Sequence, residues 1–302
     1  MENTKANTER RRKMDAFFAI VGLAALLVGL ATLTALLADL AWNGAARLSW
    51  QFFISYPSRF AAQAGILAAW VGTTLVMLVT ALAAVPLGVA AGVYLEEYAV
   101  KSWVTDLIEI NIANLAGVPS IVYGLMALGL FVYQFHLGQS ILTAGLTLGL
   151  LILPIVIVAT RESIRAVPQS IREAAYALGA TKWQTVRDHV LPYSTGGILT
   201  GVIIGLSRAI GETAPLVTIG ALTFIAFLPS PPLNSEFPFV SFDWLMSPFT
   251  VMPIQMFNWV SRPQPEFHLN AAATGLVLMA MTLAMNALAI YIRYRFRKRI
   301  TW

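Results

Sequence analysis

The stretch RESIRAVPQSIREAAYALGATKWQTVRDHVLP, residues 161–192, decides how the chain is read. It is the only long polar island between two apolar runs that each exceed the roughly 20 residues a helix needs to cross a bilayer. Within it, Ser170 and Glu173, and again Thr181 and Gln184, are spaced as capping boxes, in which a hydroxyl and a carboxylate or amide satisfy each other's backbone amides. Two short helices are therefore expected. Gly179 between them suits the left-handed turn that ends a helix, and Leu191-Pro192 is expected to stop the second helix before the membrane run resumes. The first helix carries Glu173, Ala174, Ala175 and Ala177, a small-sided surface that a groove on another protein can approach closely.

Working outward, 302 residues that are 58% hydrophobic and only 12% charged hold too much apolar surface for one soluble core, so the chain belongs in a membrane. The net charge of +5 raises nucleic acid as a partner, but the position of the basic residues decides against it. Sixteen of the twenty Lys and Arg fall in four segments: Lys5 to Lys13, Lys101, the island, and Arg293 to Arg299. Arg47, Arg59 and Arg262 lie in the alternate segments. By the positive-inside rule the first set is cytoplasmic, so both termini lie inside and the number of spans is even. The absence of cysteine excludes disulfides, thiolate metal sites and cysteine nucleophiles.

The first apolar run, Phe17 to about Trp42, reads as a retained signal anchor, with Arg10 to Lys13 setting orientation beside anionic headgroups. Trp42, Trp50, Phe52, Phe53 and Tyr56 then read as an interfacial aromatic belt. The second span runs from about Gly65 to Tyr94, and Glu96, Glu97 and Lys101 form a short inner loop. The third, Trp103 to about Tyr133, returns outward and carries Asn111, Asn114, Gly117, Pro119, Ser120, Tyr123 and Gly124 at membrane depth. Such residues either glue helices together or serve function. Pro119 removes an amide, so a half-helix starting near Ser120 would offer free N–H groups and a positive dipole end to an anion. The fourth span ends near Thr160, with His136 a lone loop histidine before it.

The fifth span, Tyr193 to about Leu222, places Gly201, Gly205, Arg208 and Glu212 on one helix face, followed by Thr213 and Pro215. Arg208 lies roughly 22 Å along the helix from Tyr193, near mid-membrane. An Arg in lipid there costs about 3 kcal/mol or more, so Arg208 faces a partner helix or an aqueous path. Two readings stand side by side. Arg208 and Glu212 form a structural ion pair, or the planar guanidinium greets an oxyanion. In the second reading Glu212, which only accepts hydrogen bonds, also favours an anion that still carries a P–OH. Beyond lie a proline-rich outer loop, residues 223–268, expected to dock an external protein and to hold a short amphipathic helix on the membrane near Phe249 to Val260, and a sixth span, Leu269 to Tyr291.

The run Glu173-Ala174-Ala175-Tyr176-Ala177-Leu178-Gly179, ending at Leu191-Pro192, resembles the EAA loop of ABC importer membrane subunits. Residues 117–124 (GVPSIVYG), 207–216 (SRAIGETAPL) and 248–264 resemble the PstA-type subunits of phosphate importers. The resemblance implies an all-α, six-helix permease of the type I ABC importer fold in a bacterial plasma membrane. Its permease domain would span 65–294, after an anchor and outer segment at 1–64 and before a basic tail at 295–302. It also implies a PstC-type partner permease, two PstB-type ATPase subunits that bind ATP and Mg, and a PstS-type phosphate-binding protein. It further implies surrounding membrane lipid and no cofactor, metal or nucleic acid bound by the chain itself. Coupling to the ATPase would fall to Glu173, Ala174, Ala175, Leu178 and Gly179. The phosphate path would fall to Arg208, Glu212, Ser120, Tyr123, Thr213 and Ser207, with Pro119, Gly201, Gly205, Gly211 and Pro215 breaking or packing helices. The chain has no G-x-x-x-x-G-K-S/T loop, so it is not itself the ATPase. The competing readings are a permease for sulfate, molybdate or tungstate, a membrane enzyme acting on phosphorylated lipid, and a non-transporting scaffold.

Overall fold

A computed structural model describes residues 2–231, 239 and 241–297, with side chains from residue 11 to residue 295 of these. The described residues form α-helices with short π and 3-10 turns. In order these are α1 (Glu2–Ala45), α2 (Trp50–Ile54), α3 (Leu67–Val93), α4 (Trp103–Leu115), α5 (Ser120–Ala127), α6 (Ile141–Arg165), α7 (Gln169–Ala177), α8 (Lys182–Thr185), α9 (Leu191–Gly211), α10 (Ala214–Thr218), α11 (Met252–Val260) and α12 (Pro265–Arg297). Five stretches are long and apolar enough to cross a membrane, and the bent pair α4–α5 makes a sixth if counted as one.

The core sits where α3, α6 and α9 cross. Without a hydrophobic drive between helices in lipid, close backbone approach through small residues supplies the packing. A Cβ on Gly145 would overlap Val79, one on Gly88 would overlap Val156, and one on Gly201 would overlap Ala159. Thr80 accordingly reaches across to the Gly145 carbonyl at 3.2 Å. Ala144, Leu148, Ile152 and Val156 of α6 are buried at this crossing. α1 stands at the margin, running along α12.

Several expectations need correction. Residues 103–134 do not run straight outward, because α4 and the following helix meet at 107°. Alone, α4 is roughly 20 Å long, short of the ~30 Å hydrocarbon core. The fifth span ends at Gly211 rather than near Leu222. Pro215 has no amide to give the Gly211 carbonyl, and the chain turns extended at Glu212 before α10 begins. Leu191-Pro192 is no stop. A π turn at Val186–Val190, in which the Leu191 amide bonds the Val186 carbonyl, carries α8 into α9, so the helix runs on through Pro192.

Ser170 makes no capping bond, since α7 starts one residue earlier behind Pro168, whose fixed φ sets the helix entry. The second box, Thr181 with Gln184, forms in full. Phe52 is core rather than belt, packed 6.1 Å from the ring of Trp259, whereas Trp42 and Trp50 stay exposed. The expected surface helix also differs. α11 is folded into the protein with Met252, Ile254, Gln255 and Trp259 buried against α3 and α12. Pro232 and Pro238 of the outer loop, and Lys298 and Arg299 of the basic tail, lie outside the described residues.

Candidate anion site and coupling surface

The small face of α9 seats it on α6 through Gly201 and Gly205, which leaves Arg208 in the last helical turn. Its Nε donates to Glu212 Oε1 at 3.3 Å. Among the described residues its two Nη groups have no partner, and the side chain is 40% exposed against 19% for Glu212. Glu212 therefore restrains the guanidinium without saturating it, and leaves the terminal donors uncommitted among the described residues.

On the facing side, the chain breaks at 116–119, and α5 begins at Ser120 behind Pro119 with no side-chain cap. The Tyr123 hydroxyl donates to the Leu115 carbonyl at 2.8 Å, closing the bend. Gly124 lies against Pro215 and Thr218, so α5 and α10 touch backbone to backbone. The two motifs that stand far apart in sequence, 117–124 and 207–216, thus meet in space. Thr213 and Ser120 keep hydroxyls without partners among the described residues. Ser207 is turned the other way: its hydroxyl lies 2.7 Å from the Ile203 carbonyl and 2.6 Å from Asn286 Oδ1 on α12. Gly211 has open space around its Cα, and Pro215 is buried.

At the other end, α7 closes with a Schellman turn. Gly179 has φ +84°, its amide bonds the Tyr176 carbonyl, and the Ala180 amide bonds that of Ala175. Glu173 and Ala174 are exposed, Ala175 is buried within the chain, and Leu178 is almost wholly exposed.

Sequence reasoning overlooked the ionic cluster beneath this helix. Arg172 pairs with Glu97 at 2.7 Å, Arg165 with Glu96 at 2.9 Å, and Arg161 with both Glu109 and Glu96. The available signal was three carboxylates and three guanidiniums: Glu96 and Glu97 in the inner loop, Glu109 near the inner end of the third span, and Arg161, Arg165 and Arg172 in the polar island, all assigned to the same side of the membrane.

Residues 84–302 match the family of inner membrane components of binding-protein-dependent transport systems. The chain belongs to that family: it is the multi-span, non-catalytic permease part of an ABC transporter in the inner membrane. Among relatives, it is 33% identical to the phosphate transport system permease protein PstA of Yersinia pestis, over 99% of this chain and 95% of that one. It is 32% identical to the probable ABC transporter permease protein YqgI of Bacillus subtilis, over 92% of each. Among solved structures, an inward-facing MetNI methionine ABC transporter matches with a TM-score of 0.55 and 14% identity, covering 74% of this chain and 91% of that one. The latter likeness concerns the fold.

Proposed function

We propose that this chain is the PstA-type permease subunit of an ATP-driven importer of inorganic phosphate. The observation that carries it is the half-satisfied Arg208, held by Glu212 with its terminal donors open, in the motif that packs against the broken helix through Pro215 and Gly124. A planar fork of donors suits the oxygens of a phosphate, and Glu212 accepts a hydrogen bond from the P–OH that monohydrogen phosphate still carries. Thr213 and Ser120 add uncommitted hydroxyls, Tyr123 shapes the bend, and Ser207 serves by holding α9 to α12. The relatives named for phosphate transport support the substrate.

The partners in this reading are a PstC-type permease that completes the path, a PstB-type ATPase pair that binds ATP and Mg, and a PstS-type binding protein on the outer face. Leu178, Glu173 and Ala174 form the contact with the ATPase, with Gly179 fixing the end of the coupling helix. The domain division follows, with the permease domain at 65–294. The test is ATP-dependent phosphate uptake into vesicles holding the full complex, wild type against Arg208→Gln. Lost uptake with assembly and ATP hydrolysis retained supports the reading, and normal uptake reduces Arg208 to bundle glue.

A further inference from the structure

The coupling helix α7 has little core of its own. It buries Ala175, and Ile171 packs against Ile164, Val167 and Val190. So short a helix with so few apolar contacts would pivot on its own when pulled, unless something ties it down. Arg172 supplies the tie. Its Nε and Nη2 both donate to Glu97 Oε1, at 3.1 and 2.7 Å, while Nη1 donates to the Val167 carbonyl at 2.8 Å and Nη2 to the Ile164 carbonyl at 3.1 Å. One guanidinium therefore caps the end of α6 and grips the turn that follows α3.

The burial of this pair separates it from an ordinary solvated charge face. The side chains of Arg172 and Glu97 are 11% and 7% exposed. Exposed ion pairs contribute little, but removing one partner of a nearly buried, hydrogen-bonded pair strands the other charge. The second link runs deeper. Arg161, buried in α6, reaches Glu109 on α4, a helix that buries none of its own residues. Further along α4, the Leu115 carbonyl takes the Tyr123 hydroxyl across the break. A continuous chain of directed contacts thus leads from α7 to the bend that precedes α5.

We propose that Arg172–Glu97 and Arg161–Glu109 are transmission contacts that join α7, the inner ends of α3 and α6, and α4 into one body that stays closed through the transport cycle and moves the break at 116–119. This rests on the coupling role proposed above. Glu97, Arg172, Arg161 and Glu109 are positioning residues, touching neither the anion nor the nucleotide.

Two measurements on the full complex test it. Glu109→Gln and Glu97→Gln should each retain ATP hydrolysis while phosphate moved per ATP falls roughly fivefold or more, the lower end of a typical coupling free energy. An unchanged ratio overturns the proposal. The chain has no cysteine, so a pair of spin labels can be placed at Ser170→Cys, exposed on α7 and outside the proposed ATPase contact, and Ala113→Cys on α4 in an otherwise native protein. Their separation should stay fixed between resting and ATP-hydrolysing complexes, and a change in it overturns the proposal. The label distance needs no disabled ion pair, so it decides the matter even where a glutamine variant fails to assemble. A wild type that hydrolyses ATP but imports no phosphate rejects the substrate reading alone, since the label distance is independent of what is carried.

Discussion

Gly124 and Pro215 pack so closely that a Cβ on Gly124 would sit 2.6 Å from the Pro215 Cα. The contact joins the half-helix α5 to α10 and brings the two polar motifs of the membrane domain together. Gly124→Ala should overpack this seam and destabilise the subunit by about 1–3 kcal/mol, visible as a lower unfolding midpoint of the purified complex. Adding Thr218→Ala should leave most of the loss in place, because the obstructing atoms include Pro215 backbone, which no side-chain trimming moves. Full recovery in the double variant would show that the Thr218 hydroxyl alone sets the limit.

Glu212→Gln keeps the side-chain shape and removes the acceptor-only character of the group. Phosphate-over-sulfate preference in uptake should fall about tenfold, equivalent to one lost charge-assisted hydrogen bond of roughly 1.5 kcal/mol. Competition between the two anions in vesicles measures this directly. An unchanged preference removes Glu212 from selectivity and leaves it as the restraint on Arg208.

Leu178 stands in water in the isolated chain, so Leu178→Asp should alter the subunit's own stability by about 0.5 kcal/mol or less. Its affinity for the ATPase should drop by about 2 kcal/mol, roughly thirtyfold, if it anchors that contact. Co-purification of the two subunits at graded dilution reads the difference.

Gly179→Ala tests the shape of the coupling helix instead of its surface. At φ +84° a side chain costs about 1–2 kcal/mol, enough to fray the Schellman turn and shift where Leu178 points. ATP hydrolysis should continue with less phosphate moved per ATP, and Gly179→Asn should recover part of the loss, since Asn tolerates this backbone region better.

Ser207→Ala should be mild in comparison. The contact it loses, to Asn286, is of a kind worth about 0.6 kcal/mol within membranes, so uptake should stay within about twofold of wild type. A much larger loss would return Ser207 to the anion's path.

The sequence by itself determined the number and rough limits of the apolar runs, the polar island, the break before Ser120, the left-handed Gly179 and the pairing of Arg208 with Glu212. Each of these is set within a few residues along the chain: by the length needed to cross lipid, by a missing proline amide, by a glycine's freedom at positive φ, or by i,i+4 spacing. Pro192 misled because a π turn just before it widens the helix and joins the two pieces, so the chain runs on past a proline that would end a regular α-helix. Only the tertiary structure decided that α4 and α5 meet at 107°, that α11 is buried beside Trp259, that Ser207 turns to Asn286, and that Arg172 meets Glu97 from 75 residues away. The physical reason is that burial and ion pairing depend on which helix faces come together. In a membrane that choice follows from close packing of small residues, as at Gly145 on Val79 and Gly124 on Pro215, whose partners lie far along the chain.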